Sequence, residues 1–600
     1  MRSRRFSLAF LALLATVSPV GAQDLAPIRY LVSFPAPHTH YLEVEAVLPV
    51  DGRPHVELMM PVWIPGSYMV REFARHVEGF VARDAQGRVL PVEKTRKNRW
   101  RITTGNATTV TIKYRLYAHE LSVRTNWVDD PFAVINGAAT FVTLVEQVAR
   151  PHDVRIVLPS AWKQTMTGLP SVPDGQAHHY RAPDFDSLVD SPIVAGNPAV
   201  HRFVVEGKDH YLVNLGDSSG WDRERSVGDL EKIVREALKL WRELPYDKYL
   251  FLNVISEAGG ALEHKNSTIM MAGRSSTATR PAYLTWLSQA CHEVFHAWNV
   301  KRLRPIELGP FDYENENYTE SLWIAEGFTD YYADLLLQRA GLTSREEYLQ
   351  ALSSTIESVQ ATPGRLVQAV NRASFDAWIK YYRPDENSAN TSISYYTKGT
   401  VLAFLLDAKI RRATGDARSL DDLMRLAYQR YSGPKGYTPE DFKKLVEEII
   451  GSPHGVREWF ASAVESATEL EYHEALDWFG LQFREMSLGP RASLGVTTRN
   501  DNGRLVVTSV GRDVPGSPTG LNVDDEILAI GEVRVRASQL ESRVAQFQPG
   551  TSVPVLIARR DELLQLNVVL GSEMRRGWML EMRRDATSEQ LAHLNSWLSQ

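Results

Sequence analysis

From position 28 to about position 200, apolar and polar residues alternate in short runs, as in Tyr41-Leu42-Glu43-Val44-Glu45-Ala46-Val47 and Val110-Thr111-Ile112-Lys113-Tyr114, with Pro and Gly between runs. A period of two places every second side chain on one face of a strand, so residues 23–200 are expected to form an all-β domain. The period then changes. Residues 229–244 have helical spacing, and Tyr249-Leu250-Phe251-Leu252-Asn253-Val254-Ile255 reads as a buried or edge strand. Helical spacing dominates afterwards, over about 282–300, 319–340, 344–360, 394–413 and 439–450. Ser344 with Glu347, and Thr438 with Asp441, are capping pairs, in which a hydroxyl and a carboxylate satisfy the free amides of a helix N-terminus. After about Gly489 short strands and glycine turns return, as expected for a separate domain over 489–575, and a short helix is expected from Ser588 within the tail 576–600.

A chain of 600 residues exceeds what one hydrophobic core supports, so three to four domains of roughly 100–200 residues each are expected. The boundaries fall at 1–22, 23–200, 201–400, 401–488, 489–575 and 576–600. Met1-Arg2-Ser3-Arg4-Arg5 is basic and is followed by an apolar run over 6–17 and by Ser18-Pro19-Val20-Gly21-Ala22. This reads as a signal peptide cleaved after Ala22, giving an exported protein, periplasmic or secreted; an uncleaved N-terminal anchor is the alternative. No later stretch approaches the roughly 20 apolar residues of a membrane span, so no membrane insertion is expected after cleavage. Hydrophobic residues make up 44% and charged residues 23%, which is ordinary for globular protein, and Cys291 is the sole cysteine, so no intramolecular disulfide forms. A net charge of −6 supplies no basic field, and nucleic acid is not an expected partner.

The chemistry concentrates in His292-Glu293-Val294-Phe295-His296. On a helix, histidines four apart share one face and one metal ion, and Glu293 projects beside the open coordination position. A catalytic zinc takes three protein ligands and leaves the fourth position to water, so a third ligand is required from a second helix. Glu326, in Leu322-Trp323-Ile324-Ala325-Glu326-Gly327-Phe328-Thr329-Asp330, is the candidate, because a carboxylate within an apolar and aromatic helix is costly unless ligated. Asp330 follows one turn later, where it either accepts a proton from a ligating histidine or serves as a solvated or capping acid. Zinc chemistry assigns Glu293 the removal of the water proton and its transfer to the leaving amine. Tyr396, in Tyr395-Tyr396-Thr397-Lys398-Gly399, is a candidate donor to the developing oxyanion; a packed core tyrosine is the other reading of the same spacing.

Three segments together carry a resemblance: Pro61-Val62-Trp63-Ile64-Pro65-Gly66-Ser67-Tyr68, the run from His292 to Pro305 containing Phe295-His296-Ala297-Trp298-Asn299-Val300-Lys301-Arg302, and Trp323 to Tyr332. They resemble the glycyl aminopeptidase family (metallopeptidase family sixty-one), distant cousins of the alanyl-type zinc aminopeptidases, over nearly the whole mature chain. The resemblance implies a multidomain α+β protein: a β-sheet N-terminal domain, a thermolysin-like, mainly helical zinc catalytic domain of the gluzincin type over 201–400, a helical segment and a C-terminal PDZ domain. Gly260-Ala261-Leu262-Glu263-His264 is similar to the Gly-x-Met-Glu-Asn strand of the cousins, which implies that Glu263 holds the free amino group of the substrate while Gly260 and Ala261 line the cleft. His264 replaces the cousins' asparagine. Tyr396 matches the tyrosine of their Tyr-x-Lys-Gly segment, which favours it over Tyr395. Residues 492–571 resemble a bacterial-type PDZ domain through Leu494-Gly495-Val496, Ser517-Pro518-Thr519-Gly520-Leu521 and Asp525-Glu526-Ile527-Leu528-Ala529-Ile530-Gly531; such domains add a peptide as an extra strand and capture its C-terminal carboxylate.

The function expected from these readings is a zinc aminopeptidase, with one ion per chain, releasing small N-terminal residues, glycine or alanine, from peptides. A zinc endopeptidase acting on PDZ-captured substrates is the first alternative. A PDZ-led peptide-binding or quality-control protein with a vestigial metal site is the second. Peptide substrates, and a peptide or protein C-terminus at the PDZ groove, are the expected partners. Sequence leaves open the physiological substrate, the oligomeric state and the metal used, since similar N/O ligands accept cobalt or manganese.

Overall fold

Alternation in the first third of the chain produces sheets. Tyr41–Pro49 and Thr109–Tyr117 pair antiparallel with Tyr41 opposite Tyr117 and Pro49 opposite Thr109, and each buries every second side chain along most of its length. They lie within a seven-stranded sheet, and two four-stranded sheets share its apolar core. The structure, a computed structural model, describes residues 25–146, 148–484, 489–512, 519–573 and 577–598; the expected leader lies outside them.

The second domain opens with a five-stranded sheet whose strands are numbered β1 (Ala199–Val205), β2 (Lys208–Leu215), β3 (Lys248–Ile255), β4 (Gly260–Glu263) and β5 (Ser267–Ala272), in the spatial order β1-β2-β3-β5-β4. β3 runs parallel to both neighbours and is buried along nearly its whole length. Its continuous apolar run follows from burial on both faces: Tyr249 and Phe251 join the core of the helices, whereas Leu250, Leu252 and Val254 join the core of the N-terminal sheets. The N-terminal domain is therefore packed onto this sheet. β4, antiparallel to β5 with Gly260 opposite Met271 and Glu263 opposite Thr268, forms one edge.

Helices cover the other face: α1 (Arg223–Trp241), α2 (Arg280–Phe295), α3 (Phe328–Arg339), α4 (Arg345–Ala361) and α5 (Tyr395–Thr414). Thr279 caps α2, and the expected capping boxes form at Ser344/Glu347 and at Thr438/Asp441. Two helices differ from expectation. α2 stops at Phe295, because the amides of Ala297 and Trp298 turn back to the carbonyls of Val294 and Phe295 and Val300 adopts φ 125°. The helix expected over 319–340 begins instead with a π-turn, Trp323–Gly327, and becomes α-helical at Phe328.

The C-terminal β domain has its own core and a six-stranded sheet with Val496–Asp501 at its edge. It is framed by a two-stranded ribbon in which Leu481–Phe483 pairs with Leu580–Met582. Beyond the ribbon, the segment expected as a tail forms α6 (Ser588–Leu598) and returns to the helical core: Trp597 is fully buried, donates through Nε1 to the Tyr331 hydroxyl at 2.7 Å and stacks on Phe479 at 4.4 Å.

Candidate active site

His292 and His296 stand one turn apart where α2 ends, and the π-turn before α3 brings Glu326 against them. The two Nε2 atoms are 2.9 Å apart, and Glu326 Oε2 lies 3.2 Å from His296 Nε2 and 3.6 Å from His292 Nε2. Zinc bonds of about 2.0–2.1 Å at a tetrahedral angle set ligand atoms about 3.3 Å apart, so two nitrogens and one oxygen at this spacing fit that ion. The remaining ring nitrogens are engaged: His296 Nδ1 donates to the Asn299 carbonyl at 2.7 Å, and His292 Nδ1 faces Asp330 Oδ1 at 2.7 Å. Protonated on Nδ1, each imidazole presents an Nε2 lone pair to the centre of the group.

The third ligand depends on close packing. A Cβ on Gly327 would collide with the backbone of Gly399, and one on Gly399 would come within 2.6 Å of the Trp323 carbonyl oxygen, so the π-turn and α5 touch backbone to backbone. A wider π-turn is a common device at functional sites, and here it carries the ligand. Asn299 fastens the turn, its Nδ2 donating to the carbonyls of Ile324 and Ala325 and to Thr329 Oγ1 at 3.0–3.2 Å. Tyr396, in the first turn of α5, lies with its ring 6.3 Å from that of His292. Burial pushes its phenol well above 10, so it remains a neutral donor.

Charge is distributed accordingly. Burial raises the Glu326 carboxyl, but the neighbouring imidazoles of His296 and His292 outweigh this and lower it. Burial pushes Glu293 up to about 7, with Glu263 and Glu326 adding to the effect and the two imidazoles opposing it. Thr268 Oγ1 lies 3.4 Å from Glu293 Oε2.

Glu263 ends β4. It is 4% exposed, and its Oε1 is buried without a hydrogen-bond partner. The ammonium of Lys301 stands 3.9 Å away but is engaged with Asp190 at 2.8 Å. His264, the departure from the cousins' motif, faces Asp190 through Nδ1 at 3.2 Å. Gly66 of the N-terminal domain, at φ 87°, lies against the Glu263 carboxylate so closely that a Cβ there would collide with it. Gly260, Ala261, His292, Glu293, Asp330 and Tyr396 line a common cavity of about 670 Å³.

All nine residues singled out from sequence thus lie at or beside one cleft. Sequence reasoning assigned no role to Asn299, Lys301, Gly66 or Asp190. The first three sit inside the segments that carry the family resemblance; Asp190 has no local signal, because it reaches Lys301 from another domain.

Three family models and several solved structures are similar to parts or most of this chain. The Peptidase M61 N-terminal domain family matches residues 29–197, the M61 glycyl aminopeptidase family residues 285–402, and the PDZ domain family residues 492–570. The crystal structure of an aminopeptidase N family protein from Idiomarina loihiensis is 29% identical, with a TM-score of 0.89 over 96% of this chain and 100% of that one. An M1 zinc metallopeptidase from Deinococcus radiodurans is 13% identical, with a TM-score of 0.48 over 75% of this chain and 95% of that one. Native yeast LTA4 hydrolase is 13% identical, with a TM-score of 0.45 over 75% of this chain and 69% of that one. No curated protein matched.

Proposed function

For a chain that belongs to the M61 glycyl aminopeptidase family, a zinc metallopeptidase with a C-terminal PDZ domain, we propose that it releases small N-terminal residues, glycine or alanine, from peptides. The observation that carries this reading is the Glu263 carboxylate, buried at the end of the edge strand with one oxygen lacking any donor. Lys301 stands 3.9 Å from this oxygen but spends its hydrogen bond on Asp190, and a buried carboxylate oxygen without a hydrogen bond is costly; the ammonium of a peptide N-terminus supplies a charge-assisted one.

His292, His296 and Glu326 hold the ion, one per chain. A zinc ion supplies Lewis-acid polarisation of the scissile carbonyl and acidifies water. The peptide extends along β4, which offers the free hydrogen-bonding edge of its sheet. Glu293 takes the proton of the attacking water and delivers it to the leaving amine, a role suited to a carboxyl raised by burial to about 7. Tyr396 donates its phenolic hydrogen to the carbonyl oxygen as charge gathers there. Asp330 and the Asn299 carbonyl keep the imidazoles in the ligating tautomer. The basic-apolar N-terminal segment supports export of this activity from the cytoplasm, and the edge strand Val496–Asp501 of the PDZ domain receives a peptide C-terminus.

The test uses the zinc-loaded mature protein with free and N-acetylated alanyl and glycyl p-nitroanilides. Hydrolysis restricted to the free amines, reduced about 10²–10⁴-fold in Glu293→Gln and lost selectively for free amines in Glu263→Gln, supports the reading. Equal cleavage of blocked substrates would replace it with an endopeptidase.

A further inference from the structure

The cavity beside the metal ligands extends well past the reacting centre. It runs between α2, α3 and the start of α4, and its lining is acidic: Asp334 and Glu347 join Glu293 and Asp330, and among the described residues no lysine or arginine lines it. These carboxylates differ in how they are compensated. Asp330 faces His292 Nδ1 at 2.7 Å, and Glu347 is held by Arg280 through two bonds of 2.6 and 2.7 Å. Asp334 has one partner, the Ser288 hydroxyl at 2.7 Å. Burial pushes its carboxyl up to about 6, and no lysine or arginine of the cavity lining is there to pair with it. One more group that lines the cavity, Thr343 Oγ1, lacks a hydrogen-bond partner. The flanking walls are apolar, formed by Leu284 and Leu337.

The location fixes which part of a peptide enters. Glu263 and Gly260 stand at opposite ends of β4, three residues or about 10 Å apart. Gly260 and Ala261 line the cavity, and Glu263 does not. With the substrate amine at Glu263, the residue beyond the scissile bond lies beside Gly260 and Ala261, against the cavity; this step rests on the aminopeptidase reading above. Asp334 follows Asp330 by one helical turn, about 6 Å further from the metal ligands, at the depth of a long side chain. Apolar walls ending in an unpaired carboxylate suit a side chain with an aliphatic stem and a charged tip.

We propose that this cavity receives the side chain immediately after the scissile bond and selects a cationic one, lysine or arginine, through Asp334. The enzyme would then release glycine or alanine preferentially from peptides whose second residue is basic.

The test compares dipeptides that share an N-terminal alanine: Ala-Lys, Ala-Arg, Ala-norleucine and Ala-Glu. The wild-type ratio of kcat/KM for Ala-Lys over Ala-norleucine is expected to be about 10 or more, the range of a hydrogen bond between charged groups, with Ala-Glu slowest. In Asp334→Asn, whose side chain is nearly isosteric, the ratio falls towards one. The ratio is internal to each protein, so a variant of lower overall activity is still informative, and the wild-type ranking needs no variant. Equal wild-type rates for Ala-Lys and Ala-norleucine, or an unchanged ratio in Asp334→Asn, overturns the proposal. The same pairs in N-acetylated peptides separate it from the reading beneath it: cleavage of blocked peptides with the lysine preference retained keeps the cavity assignment and removes only the amine anchor.

Discussion

Replacing Asp330 by asparagine tests whether the ligating tautomer of His292 is imposed from outside the metal group. Asp330 accepts from His292 Nδ1 at 2.7 Å. Asparagine keeps the shape but turns a charged acceptor into an amide, which either accepts weakly or points its NH₂ at the ring and drives the proton onto Nε2, the nitrogen that must ligate. A hydrogen bond to a charged group contributes about 1.5–3 kcal/mol. The Asp330 side chain is 37% exposed, so solvent weakens the pair and the lower part of that range applies, about 1.5–2.5 kcal/mol. Zinc affinity should therefore fall roughly 10- to 70-fold, within the range of about 10–100 for partners of ligating histidines. The assay equilibrates metal-free protein with zinc against a competing chelator of known affinity, and measures bound zinc and peptidase activity in parallel. Weaker zinc binding, with activity largely recovered at saturating zinc, is the expected result. Unchanged affinity would refute the argument and leave Asp330 a solvated acid on the rim.

Three further outcomes follow from other parts of the molecule. Gly66→Ala puts a Cβ into the Glu263 carboxylate at a backbone φ of 87°, so the preference for free over acetylated p-nitroanilides should fall by about 10-fold or more, beside a strain of roughly 1–2 kcal/mol; wild-type selectivity in this variant would mean that Glu263 does not read the amine. Lys398 is 1% exposed, its Nζ has no hydrogen-bond partner, and burial lowers its pKa to about 8. Lys398→Met should raise stability by about 1–3 kcal/mol at pH 7 in thermal melts, the gain shrinking as pH rises through 8 towards 10.5, where the folded-state lysine is neutral; a lower melting temperature would contradict this. His152 is fully buried and held neutral, burial pushing its pKa down to about 4. Between pH 6.5 and 4 the unfolded chain binds the extra proton, so stability is complete above 6.5 and declines as pH falls, by up to about 3 kcal/mol; His152→Gln should flatten that part of the urea-midpoint profile, and an unaltered slope would assign the acid sensitivity elsewhere.

The metal ligands were legible because their requirements are local: His292 and His296 must share a helical face, and Glu326 is a carboxylate in an otherwise apolar helix. The capping boxes at Ser344 and Thr438 were legible for the same reason, since four consecutive residues contain the whole motif. What sequence left dark is set by contacts between distant segments. The π-turn at Trp323–Gly327 exists where Gly327 meets Gly399, and nothing within either segment records the other. His296 is oriented by the carbonyl of Asn299, a group every residue has, so side-chain identity carried no hint of it. The packing of the N-terminal sheets onto β3 was half visible: an unbroken apolar strand requires cover on both faces, but the run does not say which domain supplies it. Asp334 drew no attention in the sequence, because its lack of a lysine or arginine partner is a property of the assembled cavity.

The return of α6 to the helical core bears on how the protein is made. Trp597 bonds to Tyr331 across 266 residues, with the whole C-terminal β domain between them in the chain. At about 5–20 residues per second a ribosome produces Tyr331 roughly 13–50 s before its partner. Throughout that interval α3, whose N-terminus follows directly on Glu326, lacks the indole that closes its far side, whereas the PDZ domain, with a core of its own, has every residue it needs. The last module to be encoded is thus able to mature before the helical core that carries the metal ligands is complete.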